Sequence, residues 1–221
     1  MFETKLEERC WNQFIKKYSI DTLQQEKFKK YLDFILQENQ KYNLTAITSV
    51  QGVIADHFFD SLSLTRLADL SKVKTIADIG SGGGFPGVPV AIMNPAVTVH
   101  IVEVNGKKVS FLNMLKELIN LDNLVVHQQD FRTFIRKFEQ PIDLFTARAS
   151  LPLAELTRVF KPSSIHKSCL LVYWASKKWV PTEQEKVYLD TCISYQVGDK
   201  KRSLCFFYHK DFNTVKVHVE N

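Results

Sequence analysis

Cysteine is scarce: four in 221 residues, at 10, 169, 192 and 205. None forms a C-x-x-C pair and no histidine cluster accompanies them. That spacing argues against a zinc site or a disulfide framework, so reduced, half-buried thiols and no bound metal are expected. Long apolar runs are missing too. The longest stretch free of Asp, Glu, Lys and Arg runs from Ile79 to Val102, and it holds Gly82-Gly83-Gly84 and prolines at 86, 89 and 95. No spanning helix fits there. The opening residues MFETKLEERC lack the apolar centre of a secretory leader. There are no repeats and no low-complexity tracts. A cytoplasmic protein with no membrane partner is the expectation.

What is present is an ordinary globular composition, 45% hydrophobic and 24% charged, which excludes a disordered chain. The length suits one large domain, or one with an appendage. The net charge is +5 but uneven. Residues 1–130 carry 14 basic and 15 acidic side chains; residues 131–221 carry 15 and 9, hence +6. A basic second half is compatible with a polyanionic partner.

Residues 1–70 read as helices only, an N-terminal helical extension. Over 22–40, Phe28, Tyr31, Leu32, Ile35 and Leu36 follow one helix face, with Thr22 and Gln25 as a candidate capping box. Over 50–68, His57, Asp60 and Ser61 stand at i, i+3 and i+4 and share a face. From residue 73 strands alternate with helices: 73–79, 97–102, 124–126, 142–145 and 169–174 are β-rich, with helical pieces near 86–93, 106–119 and 151–159. The rhythm predicts an α/β fold with a parallel sheet covered on both faces. Two further runs, 190–197 and 203–209, predict an antiparallel pair at one edge, giving seven strands over 71–210. Residues 211–221 form a tail.

The informative segment is Asp78-Ile79-Gly80-Ser81-Gly82-Gly83-Gly84-Phe85-Pro86-Gly87. Four of the chain's eight glycines fall at 80–84, directly after a strand. Backbone without Cβ atoms can turn tightly and approach a ligand, and open parallel sheets bind ligands at that edge. Gly82, Gly84 and Gly87 satisfy G-x-G-x-x-G, the dinucleotide pattern. Asp78, Gly80, Gly82 and Gly84 also satisfy D-x-G-x-G-x-G, which fits S-adenosyl-L-methionine better: Asp78 would hold the amino-acid end of the donor, directly or through water, but would repel a pyrophosphate. Glu103, 23 residues after Gly80, ends the second strand and suits a ribose diol, a feature shared with nicotinamide enzymes.

Tyr42-Asn43-Leu44-Thr45, His57-x-x-Asp60-Ser61, Asp78 to Gly87, Gly106-Lys107-Lys108-x-x-Phe111-Leu112 and Arg148-Ala149 together resemble the bacterial 16S ribosomal RNA guanine-N7 methyltransferases, the GidB or RsmG family, over roughly residues 10–210. The resemblance implies a class I S-adenosylmethionine-dependent methyltransferase sheet, Rossmann-like, whose last strand is antiparallel. It implies methyl transfer to N7 of guanine 527. It also places Gly80, Phe85 and Arg148 on cofactor-contact positions and Phe131 and Arg132 beside the adenine. Arg132 stands where the family commonly has an acid, so Asp130 is a substitute for the adenine amino contact. Lys177 is the nearest match to the family's Lys-Gly after the fifth strand.

Guanine N7 has a lone pair and no proton, so no general base is required. On this reading Asp78, Gly80, Gly82, Gly84, Phe85, Glu103, Asp130, Phe131, Arg132 and Arg148 hold the cofactor. Arg148, His57 and Asp60 shape the base pocket and serve catalysis. Lys177-Lys178 and Lys200-Lys201-Arg202 meet phosphates of 16S rRNA, free or in the small ribosomal subunit or its precursor. No protein partner is implied and a monomer is expected. The alternatives are a nicotinamide-dependent oxidoreductase and a non-catalytic RNA-binding or assembly factor on the same fold.

Overall fold

Two amphipathic helices open the computed structural model, which describes residues 4–176 and 178–209. The readings made for Lys177 and for the tail 211–221 lie outside the described residues. α1 (Lys5–Tyr18) starts at a Thr4–Glu7 capping box, and α2 (Thr22–Tyr42) at an Asp21–Gln24 box. The second box sits one residue before the expected Thr22–Gln25, because Asp21 takes the extended backbone that a cap needs. Asn43 ends α2 in the left-handed region, φ 49°, donating its N–H to Asn39.

The expected helix over 50–68 forms, but not uniformly. Short α3 (Val50–Gly52) leads into a π-helical stretch, Val53–Phe59, and then α4 (Asp60–Leu67). Wide turns of this kind recur at functional sites. Here the carbonyls of Asp56, Phe59 and Asp60 accept bonds from outside the helix, from Arg148, Tyr18 and Trp174.

The sheet comprises β1 (Thr75–Ile79), β2 (Thr98–Glu103), β3 (Leu124–Gln128), β4 (Leu144–Arg148), β5 (Leu170–Ala175), β6 (Leu189–Val197) and β7 (Lys200–Tyr208). Its order is β3-β2-β1-β4-β5-β7-β6. β1 to β5 pair in parallel, and β7 runs antiparallel between β5 and β6. The predicted pair exists, but β7 inserts and leaves β6 at the edge. The link between them is only Gly198-Asp199, with Gly198 at φ 56°.

Period-2 alternation divides the core between the two faces. Ile76, Val99, Ile101, Leu144, Val172 and Phe206 pack under α1, α2, α4, α5 (Gly87–Met93) and α6 (Gly106–Leu118). Ala77, Val102, Phe145, Leu171 and Phe207 face α7 (Phe131–Lys137) and α8 (Leu153–Leu156). The N-terminal helices therefore share one core with the sheet. One expectation about thiols fails: Cys192 and Cys205 lie directly opposite on β6 and β7 and form a disulfide, while Cys10 and Cys169 are free. Cross-strand register, invisible in a 13-residue separation, brings the two together. Among the described residues no helix is long and apolar enough to cross a membrane, and no cluster could hold a metal ion.

Candidate active site

β1 delivers its last residues to the point where the sheet opens. Asp78, fully buried, accepts bonds from Ser81 Oγ, from Gly87 N at 2.9 Å and from Thr146 Oγ1 of β4 at 2.8 Å. Burial pushes its carboxyl above the ordinary value, and these donors oppose that rise. Asp78, expected to hold the amino-acid end of the donor, ties the glycine loop to β1 and β4 through these bonds. Gly84, at φ 102°, is also a packing residue: a Cβ there would meet Tyr31 Oη at 2.7 Å and Val88 Cγ2 at 2.8 Å. Gly80 faces a cavity, with φ 68° and no room for a Cβ beside Ser150 (2.5 Å).

Two cavities flank that loop. The first, about 580 Å³, opens at the ends of β1 and β2 and is lined by Gly80, Glu103, Val104, Asp130, Phe131 and Arg132, among others. Glu103 is held by Gly82 N at 3.1 Å and Asn105 N at 2.9 Å. Asp130 caps α7 through Thr133, and Arg132 pairs bidentately with Glu155 at 2.5 and 2.8 Å. Of the expected cofactor residues, Gly80, Glu103, Asp130, Phe131 and Arg132 meet here.

The second cavity, about 450 Å³, lies on the side of the N-terminal helices, and its walls include Thr45, His57, Asp60, Phe85, Arg148 and Arg202. Phe85, Gly82 and Arg148, expected in the cofactor site, line this cavity. Phe85 stacks on His57 (centroids 4.1 Å apart) and Tyr31 (5.3 Å).

Arg148, at the end of β4, is held over the Phe85 ring at 5.3 Å. Its Nη1 donates to Asp60 Oδ2 at 2.9 Å and to the Asp56 carbonyl at 3.0 Å, and its Nη2 lies 2.8 Å from His57 Nδ1. A guanidinium only donates, so His57 Nδ1 accepts; the ring's proton is then on Nε2, which meets Thr45 Oγ1 at 2.7 Å. Burial, with Arg148 beside it, lowers the His57 pKa to about 3 and keeps the ring neutral. His57 is thus a positioning residue for Arg148.

The arrangement has parts that sequence reasoning missed. Tyr195 of β6 donates to Asp60 Oδ1 at 2.6 Å, and Trp174 Nε1 donates to the Asp60 carbonyl. Lys200 pairs with Asp56 at 2.6 Å and Arg202 with the same carboxylate at 3.4 Å. Two of the three hairpin cations expected to face RNA phosphates are therefore bound within the chain. No local pattern announces these pairs, because each joins segments 114 to 146 residues apart. Ser61, on the same helix face, is fully buried and its hydroxyl has no partner.

The fold recurs in known proteins. M. capricolum TrmK in complex with S-adenosyl-homocysteine superposes with a TM-score of 0.54 at 14% identity, over 72% of this chain and 71% of that one. A point mutant of MtNAS in complex with S-adenosylmethionine gives 0.56 at 11%, over 94% and 80%. These likenesses show a class I S-adenosylmethionine-dependent methyltransferase fold. At the sequence level the chain is 38% identical to ribosomal RNA small subunit methyltransferase G of Lysinibacillus sphaericus, over 71% of this chain and 68% of the relative. For the protein of that name in Exiguobacterium sibiricum the identity is 36%, over 63% of this chain and 59% of the relative. The matched stretches thus span about 60 to 70% of these two relatives. The family model described as rRNA small subunit methyltransferase G matches residues 24–204. With the strand-end glycine loop, Glu103 and Arg148 in place, the chain belongs to the GidB family, rRNA small subunit methyltransferase G.

Proposed function

We propose that this chain transfers a methyl group from S-adenosylmethionine to N7 of a guanine in 16S ribosomal RNA. The observation that carries the reading is the pair of adjoining cavities at the carboxyl ends of β1 and β4, one suited to a nucleoside-bearing donor and the other to a base. The residues of the first cavity fit the donor. Its volume falls in the range for small-molecule sites. Gly80 leaves its backbone bare, and Glu103 is fixed by two backbone N–H groups with lone pairs left for a diol. When bound, S-adenosylmethionine supplies an electrophilic methyl on a sulfonium. Glu103 would accept the ribose hydroxyls, and Phe131 with Val104 would flank the adenine.

In the second cavity Arg148 has five N–H donors and three named acceptors. The remaining donors meet guanine O6, which leaves N7 free to attack. No side chain takes a proton, and the fully bonded His57 ring agrees with that chemistry. Catalysis comes from alignment of N7 with the methyl and from exclusion of water. The carboxylates of Asp60 and Asp56 offset two of the three positive charges of Arg148, Lys200 and Arg202, which lessens the opposition of the cavity wall to the positive charge arriving on the purine. The proposal extends to guanine 527 as the target, to the small subunit or its precursor as the substrate form, and to a cytoplasmic monomer.

The test is transfer of labelled methyl from S-adenosylmethionine to small-subunit RNA, followed by mapping of the N7-methylated position by chemical cleavage. A single labelled guanine, at 527, is expected. Absence of RNA labelling at saturating donor, or calorimetric binding of a nicotinamide nucleotide without the methyl donor, overturns the reading.

A further inference from the structure

The two cavities share three lining residues: Gly80, Lys108 and Ala149. Only Lys108 has a polar side chain. Near the start of α6 it is half-buried, and its Nζ lies 4.0 Å from where a Cβ on Gly82 would stand. The other cations on these walls are engaged: Arg132 by Glu155, Arg148 by Asp60 and His57, Arg202 by Asp56. Two carboxylates beside the glycine loop are engaged as well, Asp78 by Ser81, Thr146 and Gly87, and Glu103 by Gly82 and Asn105. Among the described residues no acceptor meets the Lys108 ammonium.

An unpaired ammonium at the meeting point of the two cavities sits badly with the proposed chemistry unless an anion joins it. The sulfonium of the donor and the methylated purine are both cationic, and like charges a few ångströms apart repel. An oxyanion bound by Lys108 removes the conflict and forms a charge-assisted bond. We propose that Lys108 holds an oxyanion brought by a ligand to this junction, either the phosphate of the target nucleotide or the carboxylate of the methyl donor. The inference rests on the function proposed above.

Lys108→Met and Lys108→Arg separate the sources. Donor affinity is read by calorimetry with S-adenosylmethionine and with its decarboxylated form, and RNA use by the KM for small-subunit RNA. If the anion is the phosphate, Lys108→Met raises the RNA KM about 10-fold and leaves both donor affinities alone. If it is the carboxylate, Lys108→Met weakens S-adenosylmethionine binding about 10-fold and leaves the decarboxylated donor unaffected. In either case Lys108→Arg recovers most of the loss. Changes below about twofold in every arm overturn the assignment. Wild-type transfer measured in the same series keeps the two questions apart: no transfer by the wild type sinks the proposed function, whereas normal transfer with an indifferent Lys108→Met sinks only the junction site.

Discussion

The two cavities are built in opposite ways. The first draws its walls from consecutive strand ends and the loops after them: 79–80, 102–104, 129–132 and 149–152. Several of its polar groups bond neighbours close in sequence, as with Glu103 and Asn105 or Asp130 and Thr133, and the longer links, Glu103 to Gly82 and Arg132 to Glu155, span only 21 and 23 residues. The second is assembled across the whole chain. Thr45, His57 and Asp60 come from the helical region, Arg148 from β4, and Tyr195 and Arg202 from the hairpin. A site made of local loops tolerates change elsewhere. A site made of one distant network loses its geometry when any member goes.

Removing the hub of that network tests the difference most severely. Asp60 is buried and accepts from both Arg148 and Tyr195. Asp60→Ala leaves a guanidinium without its carboxylate and is expected to cost about 3–5 kcal/mol of stability. Methyl transfer should collapse, while whatever protein remains folded binds the donor normally; denaturant unfolding and calorimetry read the two effects. The converse change is Gly80→Ala. It forces a Cβ against Ser150 at a backbone angle of φ 68°, and donor affinity should fall on the order of 100-fold. Backbone strain of about 1–3 kcal/mol should move its unfolding midpoint less than Asp60→Ala does; an equal shift would show that the glycine loop and the Asp60 network are not independent.

A smaller effect is expected from Tyr195→Phe. It deletes one hydrogen bond to a buried carboxylate, about 1.5 kcal/mol, and should lower kcat with the donor Kd unchanged. Smallest near neutral pH is the contribution of the histidines. Burial lowers the pKa of His57 to about 3, of His100 to about 4, and that of His127 as well; His100 and His127 contact each other at 2.9 Å. A depressed histidine binds its proton more readily in the unfolded chain, so its stabilisation is complete above about pH 6.5 and is lost as pH falls toward 4. Thermal melts from pH 8 downward should show midpoints flat at first and falling below about 6.5. His100→Phe should reduce that slope.

The sheet was readable because strands that alternate with amphipathic helices leave one repeating pattern of apolar residues. Its exact edges were less so. Helix α7 went unread, and the loop before β7 proved three residues shorter than its polar run suggested. In the site, Gly80 and Glu103 were legible from their places at strand ends. Asp78 and Gly84 stood out as special, and the structure adds a structural role to each: Asp78 anchors the loop, and Gly84 gives packing room to Tyr31 and Val88. His57 and Asp60 were seen to share a helix face, and that face does receive Arg148.

By itself the sequence determined the order of elements, the glycine turn after the first strand and the acid after the second, because these depend on neighbours along the chain and on backbone conformation. Only the tertiary structure decided which charges are free. Lys200 and Arg202 look like surface cations until folding sets them on Asp56, and Lys108 looks like one more lysine until, among the described residues, the pairing of the other cations lining the cavities leaves it alone. Charge pairing acts through space over a few ångströms, and the distance along the chain between partners carries no trace of it.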